Sequence, residues 1–207
     1  MAIDVHGSSR GQQRRRLIFR SLHDCILSKG YTRTTLNEIA ADAGMSASHL
    51  LYYFKGKEAI LEQYFDEVAV RFLEQIRSLS TLPVAGHIDA LANFWFLSPR
   101  STRKEIGFML ECFGAAVNDD ILRITKAEFD RQIKVHLADM FEGAPRLSVS
   151  RCTDAAEITY ALMIGLRSAV YFDDQIGLED AHRLFSDNVR AMAGLKPTGA
   201  ARRRPVR

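Results

Sequence analysis

Hydrogen-bonding side chains gather in one short stretch of the chain, between residues 46 and 53. Ser48, His49 and Tyr52 lie close together, and Ser46 and Tyr53 flank them. Hydroxyl, imidazole and phenol groups both donate and accept hydrogen bonds, which is the chemistry needed to contact base edges and phosphate oxygens. The residue types therefore favour recognition of a polar partner over bond-making chemistry.

Groups suited to catalysis or metal binding are sparse. Glu111, Cys112 and His136 fall on predicted helices that could face one another, but their spacing matches no known set of metal ligands. His136 also continues the apolar stripe of Phe129 and Met140, which is typical of a hydrogen-bonded histidine in a core or pocket. The sequence holds no nucleophile motif, glycine-rich phosphate loop or paired-carboxylate helix signature. We therefore expect neither an enzyme, nor a metal site, nor a cofactor.

Two short helices must hold the polar stretch. Thr35 is a favourable N-cap and Glu38 completes a capping box, so a first helix begins near residue 36. Gly44 follows where the chain needs a positive φ to turn sharply, and Ser46 caps a second helix. Two capped helices joined by a tight glycine turn are typical of a helix-turn-helix, whose second helix enters the major groove of DNA. An ordinary corner between two helices has the same pattern, so the helix pattern alone leaves both interpretations open.

The stretch from Arg14 to about Glu67 resembles the N-terminal DNA-binding domain of the TetR family of bacterial transcription regulators. The shared motifs occur in order and without gaps: Lys29-Gly30-Tyr31, Thr34-Thr35, Ile39-Ala40, Ala43-Gly44, Ser46, Tyr53-Phe54 and Lys57-Glu58. The chain departs from the usual family pattern at Leu51, where an aromatic residue is common, and at Lys55-Gly56. The resemblance implies a transcription regulator, expected to be a ligand-responsive repressor that binds a palindromic operator as a homodimer.

The DNA contacts can be assigned by position. Ser48, His49 and Tyr52 lie on the exposed side of the second helix and are expected to contact base edges. Thr35, Ser46, Tyr53 and Lys57 are expected to hold phosphates. The predicted DNA-binding set is Thr35, Ser46, Ala47, Ser48, His49, Tyr52, Tyr53 and Lys57. Five arginines before the motif are either a solvated helix face or a basic arm for phosphates: Arg10, Arg14, Arg15, Arg16 and Arg20.

Charge is divided unevenly along the chain of 207 residues. Residues 1–57 hold 9 Lys+Arg against 4 Asp+Glu, whereas residues 58–195 hold 14 against 21. The net charge is therefore +5 for residues 1–57 and −7 for residues 58–195. This difference suggests that the N-terminal end binds a polyanion, with double-stranded DNA as the expected partner. The asymmetry argues against the rival interpretation, a helical small-molecule-binding protein or enzyme without DNA binding.

Compartment follows from the absence of apolar runs and from cysteine usage. No run reaches the length of a signal peptide or a membrane span, so we expect a cytoplasmic protein without membrane contact. Cys25, Cys112 and Cys152 are far apart in apolar surroundings and are expected to be buried thiols.

Helical periodicity continues to the C-terminus without a strand pattern. We predict an all-α fold of about nine helices, with a three-helix DNA-binding domain over residues 10–56 and a larger helical bundle over residues 57–195. The helix over residues 57–78 has an apolar stripe wide enough to link the two domains. Later helices are predicted over residues 84–97, 102–117 and 178–193, with another that begins at Thr153 or Asp154. Asn118 is expected to cap a further helix that runs to Phe141. Residues 1–9 and 196–207 are expected to be flexible.

The larger domain combines large apolar side chains with a few polar groups, a mixture found in ligand pockets and in solid cores. Residue types alone favour a plain core, whereas the TetR resemblance implies an effector pocket. The predicted ligand-binding residues are Trp95, Phe108, Cys112, Phe113, His136, Met163 and Arg167. Their makeup suggests a small apolar or aromatic effector with an acidic group for Arg167 or a hydrogen-bonding group for His136.

A homodimer interface is predicted on the last two helices. Residues 158–172 carry the single charge of Arg167, so this helix must be covered on more than one side. Gly165 would let a second helix approach closely. The predicted interface residues are Ile158, Leu162, Gly165, Leu166, Phe185, Val189 and Met192.

Overall fold

The structure, a computed structural model, describes residues 5–144 and 147–197, with residues 5–10 given by their backbone alone. Within these ranges it contains nine α-helices, one π-helix and no strand, which confirms the all-α prediction. The helices are α1 Val5–Lys29, α2 Leu36–Asp42, α3 Ala47–Tyr53, α4 Lys57–Arg77, α5 Val84–Ala92, the π-helix Asn93–Leu97, α6 Arg103–Val117, α7 Asp120–Glu142, α8 Val149–Phe172 and α9 Leu178–Met192.

Several helix bounds differ from those predicted. Helix α1 begins at Val5, inside the segment expected to be flexible, while residues 1–4 and 198–207 lie outside the described residues. Helix α7 is capped by Asp119 rather than Asn118, because the Asp119 carboxylate accepts from the Leu122 amide at 2.9 Å. Helix α8 begins at Val149, before the predicted start. The single helix predicted over residues 84–97 is divided into α5 and the π-helix.

The described chain divides into two compact units. The first, the head unit, comprises the chain up to Arg71 together with Gly107–Glu128. The second, the body unit, comprises Phe72–Ile106 and the chain from Phe129 onwards. The segment 107–128 belongs to the head unit because Cys112, Ala116 and Leu122 pack with the N-terminal helices. The domain boundary at residue 57 stays a prediction.

The core of the head unit fixes the arrangement of α1 to α4. Leu22 of α1, Ile39 of α2 and Leu50 of α3 are fully buried in one cluster, which Cys112 and Leu122 of the later segment complete. Burial of one such leucine or isoleucine side chain contributes about 1.5–3 kcal/mol. The two short helices, which are too short to be stable alone, are therefore held by packing.

The body unit is built around large aromatic side chains. Phe96 of the π-helix and Phe185 of α9 are fully buried, with ring centroids 5.5 Å apart. Arg190 of α9 donates to both carboxylate oxygens of Asp89 on α5, at 2.9 and 3.0 Å. These contacts fasten α9 to the α5 side of the unit. No helix among the described residues is long and apolar enough to cross a membrane.

Candidate nucleic-acid interface and effector site

The first short helix is capped as predicted. The Thr35 hydroxyl accepts from the Glu38 amide at 3.4 Å, and the Thr35 amide donates to the Glu38 carboxylate at 2.9 Å. These reciprocal bonds form a capping box. The Lys29 ammonium pairs with the same carboxylate, and the hydrogen bonds from Lys29 and Thr35 lower the pKa of Glu38 to about 2. Glu38 therefore remains charged at all physiological pH values, and the cap stays intact.

The turn and the second cap also confirm the sequence prediction. Gly44 adopts a φ of +66°, and the Met45 amide donates to the Ala40 carbonyl at 2.9 Å. The Ser46 hydroxyl then accepts from the His49 amide at 3.2 Å and opens α3. The helix-turn-helix is thereby fixed by local hydrogen bonds on both sides of the turn.

Helix α3 has one buried and one exposed face. Leu50 is fully buried, whereas Ser48 and His49 are exposed and Tyr52 is 84% exposed. Tyr53 is half-buried, and its ring lies 5.5 Å from that of His49 and 5.4 Å from that of Tyr52. The three residues predicted to read bases therefore share one accessible surface.

The residues predicted to hold phosphates have structural contacts of their own. Thr35 and Ser46 are exposed, although their hydroxyls serve the two helix caps. Ala47, which belongs to the predicted DNA-binding set without a predicted phosphate contact, is half-buried and packs against the head core. Lys57 lies at the first position of α4, where its ammonium donates to the carbonyls of Tyr31 and Thr34, both at 3.0 Å.

Lys57 holds the backbone near Tyr31 and Thr34, and it is also predicted to contact a phosphate. Its ammonium lies 4.3 Å from the centre of the Tyr31 ring, and the side chain is half-buried. An ammonium group has three donors, so the two carbonyl bonds leave one N–H for another acceptor. The side chain stabilises the turn before α2 and still presents a positive charge beside the α4 N-terminus.

The arginines of α1 differ in their surroundings. Arg14, Arg16 and Arg20 are exposed. Arg15 donates to the Gln63 side chain at 2.8 Å and lies 5.5 Å from the Phe54 ring centre, so it helps to join α1 to the following helices. Nothing is described for the side chain of Arg10.

Glu111 is a contributor that the sequence did not reveal as part of the head. Its carboxylate accepts from the Tyr31 amide at 2.9 Å, directly after the turn that ends α1. Both backbone polar groups of Tyr31 are thus held, the N–H by Glu111 and the carbonyl by Lys57. No local sequence signal joins positions 31 and 111, because the contact depends on how α6 packs.

Residues 18–64 match the sequence model of the bacterial regulatory proteins of the tetR family. The head is of the TetR type. This match covers the helix-turn-helix and its supporting helices, and it confirms the resemblance drawn from the motifs.

Solved structures share the fold of most of this chain. A TetR transcription regulator from Haloarcula marismortui ATCC 43049 is 19% identical, with a TM-score of 0.77 over 87% of this chain and 98% of that one. The SmeT–triclosan complex is 20% identical, with a TM-score of 0.75 over 94% and 100%. A candidate transcriptional regulator from Saccharomonospora viridis in complex with choline is 19% identical, with a TM-score of 0.75 over 86% and 96%. Identities this low establish the fold alone, and a search of curated proteins finds no match.

The seven predicted ligand-binding residues are divided between the two units of this TetR fold. In the head unit, Phe108 packs between His23 and Tyr64 with ring distances of 4.5 and 5.6 Å. Phe113 lies under the Lys126 ammonium at 4.2 Å. Cys112 is buried, and burial raises the pKa of its thiol.

Three of the four remaining residues lie together in the body unit. The Trp95 indole donates to the Met163 carbonyl at 2.9 Å, and the Arg167 guanidinium lies 4.4 Å from the centre of the Trp95 ring. Desolvation lowers the pKa of Arg167 to about 10, although nearby Glu105 favours the charged form. Arg167 therefore stays protonated at neutral pH, as a largely buried cation on an aromatic face.

His136 pairs instead with a histidine that the sequence analysis did not single out. The Nε2 atoms of His136 and His87 are 3.1 Å apart, and both side chains are buried. One ring must donate and the other accept, so the accepting ring is neutral and carries its proton on Nδ1. Burial, together with the neighbouring His136, lowers the pKa of His87 to about 4. Burial also lowers the pKa of His136, while Asp139 opposes this shift and Arg77 adds to it.

The predicted dimer residues separate into exposed and buried groups. Ile158 is 52% exposed, and Gly165 is exposed with nothing within 4 Å of the position of an added Cβ. Leu162, Leu166 and Met192 are half-buried. Phe185 and Val189, in contrast, are fully buried in the core of the body unit, so they support α9 from inside.

Cys25, Cys112 and Cys152 are free thiols, of which the latter two are buried and Cys25 is half-buried. Over the described part of the chain, no group of three or more His, Cys, Asp or Glu side chains is arranged to hold a metal ion.

Proposed function

We propose that the chain is a sequence-specific DNA-binding transcription regulator of the TetR family, a ligand-responsive repressor that binds a palindromic operator as a homodimer. The exposed polar face of α3 is the observation that supports this most directly. Ser48, His49 and Tyr52 project from a helix whose position is fixed by two hydrogen-bonded caps and a buried face. A rigid helix with hydrogen-bonding residues in its early turns suits the major groove.

Phosphate contacts would come from the margins of this surface. The free N–H of the Lys57 ammonium and the first backbone amides of α4 can hold one phosphate together. Ser46 and Tyr53 lie at the N-terminus of α3 and beside the reading residues, and can donate hydroxyl hydrogens while their oxygens keep their present bonds. The Thr35 hydroxyl already donates to the Glu38 carboxylate at 2.6 Å, so a phosphate contact from Thr35 would replace that bond. The exposed arginines Arg14, Arg16 and Arg20 add positive charge to α1.

The homodimer would form through the outer face of α8. Ile158, Gly165 and Phe172 are exposed along this helix, and Leu162 and Leu166 flank them half-buried. Phe172 was not predicted, yet it is 72% exposed. An apolar surface of this kind on a regular helix suits a second copy of itself. Two-fold symmetry then requires two α3 helices to meet half-sites about one helical turn or a multiple apart.

Ligand response would pass along helices that the two units share. Helices α4, α6 and α7 each contain residues of both the head unit and the body unit. A ligand that shifts these helices changes the separation of the two α3 helices, and a coupling of about 1–3 kcal/mol is enough to release DNA. The structural relatives in complex with triclosan and with choline support a small-molecule ligand for this fold.

Selection of binding sites from a random DNA library tests the proposal. We expect enrichment of a palindrome by the wild-type protein. His49→Ala should change base preference at one position of each half-site, whereas Lys57→Ala should weaken all sites alike and reduce the salt dependence. Lys104→Ala, an exposed lysine of the body unit, is the matched charge control.

Two results would overturn the proposal. Failure to enrich any sequence would favour the helical small-molecule-binding protein instead. Enrichment of a single non-repeated site would keep the DNA-binding role and remove the symmetric dimer. Thermal unfolding of Lys57→Ala must accompany the binding data, because this side chain also holds the turn before α2.

A further inference from the structure

Four aromatic side chains of the body unit form a cluster around Phe72. The Phe72 ring centroid lies 5.2 Å from that of Phe94, 5.1 Å from that of Trp95 and 5.4 Å from that of Phe129. Phe72, Phe94 and Phe129 are half-buried, while Trp95 is 6% exposed behind them. We call these four residues the aromatic cluster. Three partly accessible rings over a buried indole form a surface for a flat apolar group.

The backbone holds this cluster in an unusual conformation. Phe94 and Trp95 lie on the π-helix, a rare element that is found often at functional sites. The Trp95 indole donates to the Met163 carbonyl at 2.9 Å, and the Trp95 carbonyl accepts from the Ser101 hydroxyl at 3.0 Å. Both polar ends of the tryptophan are therefore fixed, so the position of its ring is set in advance of any ligand.

A cation lies on the cluster already. The Arg167 guanidinium covers the Trp95 ring at 4.4 Å and is shielded from water by the surrounding unit. Glu105 favours the charged form of Arg167, so the guanidinium is a cation beside the cluster. A guanidinium has five N–H donors, which lets Arg167 keep existing contacts and still donate to a carboxylate.

The charge of Arg167 decides which class of ligand the cluster can take. Aromatic rings alone would suit an organic ammonium ion. A second cation beside Arg167 would meet like-charge repulsion in a site with little water to screen it. A carboxylate placed on Arg167 would meet attraction from the guanidinium, which must exceed its repulsion by Glu105.

We propose that the body unit binds a small aromatic carboxylate, with its ring against Phe72, Phe94 and Phe129 and its carboxylate on Arg167. This ligand class would be the effector of the repressor, so the inference rests on the proposed function. Binding itself is separate from repression and can be measured without DNA.

Trp95 supplies the measurement, because it is the single tryptophan in the 207-residue sequence. Its fluorescence reports directly on the cluster. The probes are phenylacetate, 3-phenylpropanoate and 4-phenylbutanoate, each compared with the amine and the primary amide of the same chain length. We expect a saturable change with at least one acid in the millimolar range or below, as ligands of this size allow. The matching amine should bind about tenfold or more weakly.

Variants separate the charge from the rings. Arg167→Gln should remove the preference of acid over amide, and Arg167→Lys should keep part of it. Arg103→Gln is the matched control, since Arg103 also lies over an aromatic ring, that of Tyr171 at 5.9 Å, but is exposed. If Arg167→Gln fails to fold by circular dichroism, Phe94→Leu serves instead, with an expected loss of about tenfold in affinity for the acid.

The outcomes distinguish the two proposals. Equal affinity for acid and amine, or no saturable response to any of the three acids, would overturn the carboxylate site. Saturable binding of an acid with unchanged affinity for the selected DNA would keep the site and overturn the ligand response of the repressor. Failure of DNA selection with intact acid binding would overturn the regulator alone.

Discussion

Replacing Gly30 by alanine tests how α6 is attached to the helix-turn-helix. Gly30 ends α1 with a φ of +82°, and an added Cβ would lie 3.0 Å from the Glu111 carboxylate. That carboxylate is the acceptor for the Tyr31 amide. An alanine at position 30 therefore meets two costs, one from its backbone conformation and one from displacement of Glu111.

Comparison with the same substitution at Gly44 separates the backbone cost from the cost of displacing Glu111. Gly44 has a φ of +66° but nothing within 4 Å of its added Cβ. Gly44→Ala should therefore lower the free energy of unfolding by the backbone cost alone, about 1 kcal/mol after allowance for the stiffer unfolded chain. Gly30→Ala adds the loss of one solvent-accessible hydrogen bond, about 1 kcal/mol more. We expect a total near 2 kcal/mol at Gly30.

Urea unfolding of the two single variants and of each in a Glu111→Ala background measures these terms. With Glu111 removed, Gly30→Ala should cost no more than Gly44→Ala, whereas the cost of Gly44→Ala should be unchanged. Equal costs for the two glycines in the wild-type background would refute the close approach of Glu111. A cost of Gly30→Ala that is the same in both backgrounds would refute it as well.

Three further predictions concern other parts of the chain. The pKa of His87 is about 4 in the folded protein, against about 6.5 when unfolded, so the unfolded chain binds more protons between these values and stability falls as the pH falls. Urea unfolding at pH 7 and pH 5 should show a loss of about 2 kcal/mol that His87→Gln reduces and that His49→Gln, an exposed control, leaves in place. Gly165→Trp should give a monomer or an aggregate in sedimentation velocity, and an intact dimer would move the interface elsewhere. His49→Ala should cost about 1–3 kcal/mol at one base position, and an equal loss at every sequence would contradict its base-reading role.

Features set by neighbouring residues could be predicted from the sequence. The capping box of Thr35 and Glu38, the positive φ of Gly44 and the cap by Ser46 all depend on residues within a few positions of one another. Their chemistry permits few alternatives, which is why the helix-turn-helix was recognisable. The exposed positions on α3 follow in turn from helical periodicity.

Features that depend on packing between distant helices could not be predicted. His136 was expected in a core or pocket, but its partner His87 is 49 positions away on another helix. Phe185 and Val189 have the apolar spacing of an interface, yet α9 turns that stripe towards its own unit. Periodicity identifies a face that must be covered and does not say whether the same chain or a second copy covers it.

The assignment of residues 107–128 to the head unit changes how a ligand response must travel. A boundary at residue 57 would leave α4 as the single link to the helix-turn-helix. Cys112, Ala116 and Leu122 are instead buried in the head core, and Glu111 holds the Tyr31 amide. Detaching this segment would expose those side chains at a cost of several kcal/mol, of which Leu122 alone contributes about 1.5–3 kcal/mol. That cost exceeds the coupling of about 1–3 kcal/mol typical of ligand-controlled binding, so a ligand that shifts α6 should carry α2 and α3 with it and leave this contact unbroken.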